Sequence, residues 1–194
     1  MKARPIIMDA ESVRGILGGR KTQTRRVCRP PAPYVPTDEG LDILFATEQL
    51  PCPYGQPGDQ LWVKETWGLH YGPVYRATDS GQCCPSSGWK PSIFMPRRYS
   101  RITLRILSIR IERLQSISLH DVIAEGWPRD REMFPMVNTT DKAVAWFEYR
   151  WNTINAKRGL PWESNPWVWV IEFENTGGNG KDKGDGQHNR SASM

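Results

Sequence analysis

Two residues three apart, Lys21 and Thr24, are the pair in this sequence whose types could do covalent chemistry. They lie in Gly19-Arg20-Lys21-Thr22-Gln23-Thr24-Arg25-Arg26. A threonine hydroxyl becomes a nucleophile only when a base removes its proton. A lysine can be that base only when neutral, and burial and the neighbouring Arg20, Arg25 and Arg26 all push its pKa down. The chemistry would be nucleophilic catalysis by an activated threonine hydroxyl. In a straight strand residues three apart point to opposite faces. The pair therefore needs a bent backbone, and Gly18-Gly19 just upstream makes a bend available. Read more plainly, the segment is an exposed basic turn.

A carboxylic acid would complete the set by protonating a leaving amine. Glu65, Glu112 and Glu125 are the candidates, and spacing alone does not choose among them. The basic residues suggest a second chemistry, anion binding. Residues 1–29 carry Lys2, Arg4, Arg14, Arg20, Lys21, Arg25, Arg26 and Arg29 against Asp9 and Glu11. A second run holds Arg97, Arg98, Arg101, Arg105, Arg110 and Arg113 against Glu112. Positive charge concentrated in this way attracts polyanions by counterion release. Trp62, Trp67, Tyr75 and Trp89 supply flat faces for base stacking near the basic segment. Trp151 and Trp169 read as core.

These residues need a scaffold. With 194 residues and 38% hydrophobic content the chain supports one full core, so one domain is expected. Residues 9–18 predict a helix capped by Asp9, with Val13, Ile16 and Leu17 on one face and Gly18-Gly19 ending it. Residues 29–58 are proline-rich and irregular, and residues 68–98 form a second irregular insertion. Strands are expected over Asp59–Trp67, Val74–Thr78, Arg101–Leu114 and Trp167–Phe173. In the third of these the apolar alternation changes phase between Ile106 and Leu107, which predicts a bulge. Ser118 to Asp121 is a capping box opening a short helix, with Leu119, Val122 and Ile123 facing inward and Gly126 stopping it. A longer helix runs from a cap at Thr140 to about Asn155, with Ala143, Phe147, Trp151 and Ile154 on its apolar stripe. Its last strand presents Trp167, Trp169, Ile171 and Phe173 to a core. From Asn175 the glycine-rich polar sequence cannot build a core and reads as a flexible tail, 175–194. Strands interleaved with short helices give an α+β domain built on a small curved sheet or barrel.

Several classes are excluded. No run of about 18 apolar residues could span a membrane, and the N-terminus lacks a secretory signal pattern. Cys28, Cys52, Cys83 and Cys84, with His70, do not have zinc-site spacing and read as free thiols. A cytoplasmic protein without metal or organic cofactor is expected. Neither a phosphate-cradling GxxxxGK[ST] nor an HExxH motif occurs.

The segment GRKTQTRR resembles the signature of the ASCH superfamily, whose fold is similar to the PUA RNA-binding barrel. Gly19, Lys21 and Arg26 match, and Thr24 stands where the family usually has Glu. Further blocks resemble the larger ASCH proteins of phages and prophages: CPYGQPGDQLWVKETW at Cys52–Trp67, KPSIFMPRRYSRITL at Lys90–Leu104, IAEGW at Ile123–Trp127 and NPWVWVIEF at Asn165–Phe173. The resemblance covers residues 4–174. It implies a PUA-like β-barrel with flanking short helices and a ligand that is RNA or a modified nucleoside. The GRKTxTxR pattern is similar to that of bacterial N4-acetylcytidine amidohydrolases. That likeness implies Lys21 as proton acceptor, Thr24 as nucleophile and Glu125 as acid. Separately, the basic and aromatic residues Arg20, Arg25, Arg26, Lys64 and Trp67 are expected to contact nucleic acid. Other members imply a ribonuclease or a non-catalytic RNA binder. A further alternative is an accessory protein whose proline-rich insertions contact another protein.

Overall fold

The computed structural model describes residues 1–29, 51–128 and 139–177. The chain opens with β1 (Ala3–Ile7), α1 (Ala10–Leu17) and β2 (Gln23–Val27). It continues through β3 (Gln60–Lys64), β4 (Trp67–Leu69), β5 (Pro73–Tyr75) and the long β6 (Thr103–Arg113). It closes with α2 (Leu119–Ala124), α3 (Thr139–Asn155) and β7 (Trp167–Asn175). Five strands form one mixed sheet in the order β1-β3-β6-β7-β2, with β1 and β3 parallel and the other pairs antiparallel. Strands β4 and β5 form a separate hairpin in the second insertion. The architecture is α+β, a curved sheet with flanking short helices.

Local chemistry explains the elements. Asp9 accepts from the Ser12 amide and caps α1, and the chain leaves the helix through Gly19 in the left-handed region at φ 70°. Val13 and Ile16 are buried, but Leu17 is 44% exposed, because it falls on the solvent edge of the final turn. The phase change in β6 is a bulge between Ile106 and Ser108, with Leu107 turned outward. Ser118 and Asp121 exchange both bonds of a capping box at the start of α2. Helix α3 begins at Thr139, so Thr140 lies inside its first turn rather than capping it. On α3 Ala143, Phe147 and Trp151 are buried. Ile154 is 40% exposed, and Asn155 takes the buried place instead.

Two sequence-derived strands are shorter than expected. The strand over Asp59–Trp67 stops at Lys64 and resumes at Trp67. Between them the buried Glu65 leaves the ladder and takes both arms of Arg101, at 2.8 and 2.9 Å. After Tyr75 the chain tightens into a 3₁₀ turn, Arg76–Thr78, in place of a strand. Asn175 still belongs to β7, and the Thr176 amide donates to Thr103 O. Residues 30–50 of the first insertion and 178–194 of the tail lie outside the described residues.

Strand β7 is buried on both faces. Trp167, Trp169, Ile171 and Phe173 join one hydrophobic cluster with α1, β1, β3 and β6. Val168 and Val170 join a second with α2 and α3. The sheet curls until its edge strands meet through a side chain. Arg26 of β2 donates from Nη2 to Ile7 O of β1 at 2.7 Å and also reaches Met8 Sδ at 3.2 Å.

Candidate functional site

The seam between those edges opens into a cavity of about 710 Å³. Lys21, Thr24 and Glu125 all line it. Each reaches it from a different local cause. Lys21 precedes β2 and makes an isolated antiparallel bridge with Glu125, just beyond α2. The adjoining Thr22 amide donates to Ala124 O at 2.8 Å. The chain turns between this bridge and β2, so Lys21 and Thr24 share the cavity despite their three-residue spacing. Thr22 between them is exposed.

Two glycines fix the lysine stem. A Cβ on Gly15 or on Gly126 would lie 3.1 Å from Lys21 Cβ. Gly126 also has φ 99°, a conformation that side chains disfavour.

Two of the three ammonium protons are taken up by Glu125. Lys21 Nζ donates to Glu125 Oε2 at 2.6 Å and to Glu125 O at 3.0 Å. Both side chains are buried, 5% and 6% exposed. Burial pushes the Lys21 pKa down, and the attraction of Glu125 only partly restores it. Arg26 and Arg150 push in the same direction as burial. The pair can redistribute its proton at constant charge. Moving one proton from Nζ to Oε2 yields a neutral amine and a neutral carboxylic acid. Thr24 is 4% exposed, lines the same cavity and makes no hydrogen bond to Lys21.

Arg25 is placed differently from a phosphate ligand. Its side chain is 1% exposed and sits among carboxylates. It donates to Glu112, lies 3.3 Å from Asp121 and 3.6 Å from Glu125 Oε1, and stacks 5.7 Å from the Phe147 ring. Arg110 extends this network to Asp121 and Glu172, each at 2.6 Å. Burial alone would raise the Asp121 pKa. The Ser118 hydroxyl and amide, with Arg25 and Arg110, outweigh it and hold the carboxyl at about 2. Glu125 Oε1 is buried without a hydrogen bond, as is Arg25 Nη1 facing it.

The other sequence-derived contacts divide. Arg26 and Lys64 line the cavity. Arg20 is exposed beyond α1 and does not line it. Trp67 does not line it either. It is 4% exposed, tilted against Tyr99 at 4.9 Å with Lys90 Nζ 5.2 Å from its ring, so it packs the insertion. Glu65 is held by Arg101 and Glu112 by Arg25 and Arg110, which leaves Glu125 as the carboxylate among the three that lines the cavity.

Sequence reasoning missed the far wall. Trp146, Arg150, Ile154 and Arg158 line the cavity from α3 and the 3₁₀ turn after it. Arg150 ties α3 to α1 through Asp9 at 2.7 Å and Glu11 at 2.6 Å, and lies 6.0 Å from the Trp146 ring. The signal was present as an i, i+4 stripe beside the apolar one. Tyr54 and Arg29 also line the mouth. Arg29 and Arg158 are exposed and make no ion pair with the described residues. No group of three His, Cys, Asp or Glu among the described residues is placed to hold a metal ion. No described helix is long and apolar enough to cross a membrane.

No family model matches the chain, and no curated protein matches it. Solved structures are similar to it at low identity. An ASCH domain from Lactobacillus crispatus JV V101 is 12% identical with a TM-score of 0.43, over 91% of this chain and 80% of that one. A protein from Enterococcus faecalis V583 described by the DUF984 family is 14% identical with a TM-score of 0.45, over 100% of this chain and 86% of that one.

Proposed function

We propose that the cavity holds one nucleoside, free or within RNA, and that Lys21, Thr24 and Glu125 hydrolyse an amide on its base, with N4-acetylcytosine as the model substrate. The observation that carries this reading is that Lys21, Thr24 and Glu125 all line one cavity. The resemblance of GRKTQTRR to the ASCH signature supports it.

The chemistry balances. Proton transfer within the pair gives neutral Lys21 and protonated Glu125. Lys21 takes the Thr24 proton as Oγ attacks the acetyl carbonyl. Glu125 protonates the departing cytosine amine as the C–N bond breaks, which regenerates the Lys21⁺–Glu125⁻ pair. Water then cleaves the acetyl-threonine ester, restoring the hydroxyl and releasing acetate and a proton. Arg25 lies 3.6 Å from Glu125 Oε1, the carboxylate oxygen that Lys21 does not take.

A second reading has its own support. Lys21 gives two of its bonds to Glu125 and none to Thr24, an arrangement suited to a rigid RNA-binding wall without turnover. One experiment separates the two. The protein, Thr24→Ala, Thr24→Ser and Lys21→Ala are incubated with N4-acetylcytidine and with labelled single-stranded RNA. The hydrolase reading expects acetate release that falls at least about a thousandfold in Thr24→Ala and survives in Thr24→Ser. Intact, salt-sensitive RNA retention without acetate supports the binding module. Shortened RNA supports cleavage in the same cavity.

A further inference from the structure

We infer that the ligand is a single-stranded polynucleotide whose neighbouring nucleotide lies along the outer face of β1 and β3, on Trp62 and Arg97. This rests on the cavity holding one nucleoside and extends it to substrate class. Strand alternation sets this face. Leu61 and Val63 of β3 point into the core, so Gln60, Trp62 and Lys64 share the opposite face. The parallel register sets Ala3 beside Gln60, Pro5 beside Trp62 and Ile7 beside Lys64.

That face is lined continuously. Pro5, Ile7 and Lys64 border the large cavity. Ala3, Gln60 and Trp62 border a hollow of about 310 Å³ that Arg97, Ser100, Thr103, Thr176 and Gly177 also line. The two spaces are thus one β-strand step pair apart, about 6.6 Å by strand rise. Lys64 joins them. Its Nζ sits 5.6 Å from the Trp62 ring centroid and donates to Ile93 O at the insertion's edge.

The chemistry of the track fits a nucleic acid strand. Trp62 is half-buried and Arg97 exposed, and Arg97 makes no ion pair with the described residues. Cations at Lys64 and Arg97, with Arg29 and Arg158 at the cavity mouth, follow a backbone of phosphates. An indole and hydroxyls between cations are what single-strand binders use to stack bases without reading sequence.

The test measures binding of cytidine 5′-monophosphate and of a five-nucleotide single-stranded RNA to the full chain by fluorescence or calorimetry. The proposal expects the pentanucleotide to bind at least tenfold tighter. Trp62→Ala and Arg97→Glu should each remove about tenfold of that advantage and leave the mononucleotide unchanged, with Trp62→Phe restoring most of it. Equal affinity for the two ligands, or pentanucleotide binding indifferent to both substitutions, overturns the track while leaving the cavity reading standing. Pentanucleotide binding that depends on Trp62, with no mononucleotide binding and no effect of Arg158→Glu, supports the track and overturns the cavity reading.

Discussion

Lys21 and Glu125, separated by 103 residues in sequence, are joined by a backbone bridge, a side chain–carbonyl bond of 3.0 Å and a side-chain ion pair of 2.6 Å. The single cationic side chain of Lys21 therefore locks the entrance of β2 to the exit of α2.

Breaking this pair from one side should be costly. Glu125→Gln leaves the buried Lys21 ammonium without its counter-ion, and a loss of about 3–5 kcal/mol is expected. Lys21→Met with Glu125→Leu should lose much less than the two single changes summed, because no isolated charge remains. Urea denaturation of the two singles and the double checks this.

Asp121 makes the stability pH-dependent in a definite direction. Its carboxyl ionises at about 2 in the folded protein, below the value near 4 of an unfolded chain. Its contribution is complete above about pH 4 and disappears as the pH falls toward 2. Asp121→Asn should thus be less stable than the parent at pH 7, with the difference closing across that window. Denaturation midpoints measured from pH 7 to pH 2 test it.

The glycines flanking Lys21 should respond unequally. Gly126→Ala puts a side chain at φ 99° and 3.1 Å from the lysine stem, so a loss above about 1 kcal/mol is expected. Gly15→Ala meets the same contact but gains about 1 kcal/mol of helix propensity, so its thermal midpoint should shift less.

The open cations at the mouth should govern salt dependence. Arg29→Glu and Arg158→Glu should each reduce the slope of log affinity against log salt for RNA by about one, by fluorescence anisotropy titration. Arg25→Gln should instead lower stability, because Arg25 already serves Glu112, Asp121 and Glu125.

What could be read from the sequence was whatever a few neighbouring residues decide. Asp9 and Ser118 announce helix starts by side-chain caps, and the phase change at Ile106–Leu107 announces the bulge, because each is a local consequence of backbone geometry. What could not be read was assignment among equals. Three glutamates had the right chemistry, and long-range packing gave Arg101 to Glu65 and Arg25 to Glu112. Trp67 and Trp146 are equally suited to stacking, yet the hairpin hides the first and helix α3 presents the second to the cavity. Arg25 was indistinguishable from its neighbour Arg26. Strand alternation sends one to the carboxylates and the other across the seam.

Trp169 and Val170 are consecutive in β7 but belong to different hydrophobic clusters. The amides and carbonyls between them are laddered to β6 on one side and β2 on the other. Neither cluster can melt while its neighbour persists, because peeling this strand from one exposes it to water on both faces. Hydrogen exchange at Val168–Ile171 should therefore proceed only through global unfolding, with the two halves of the molecule lost in a single cooperative transition.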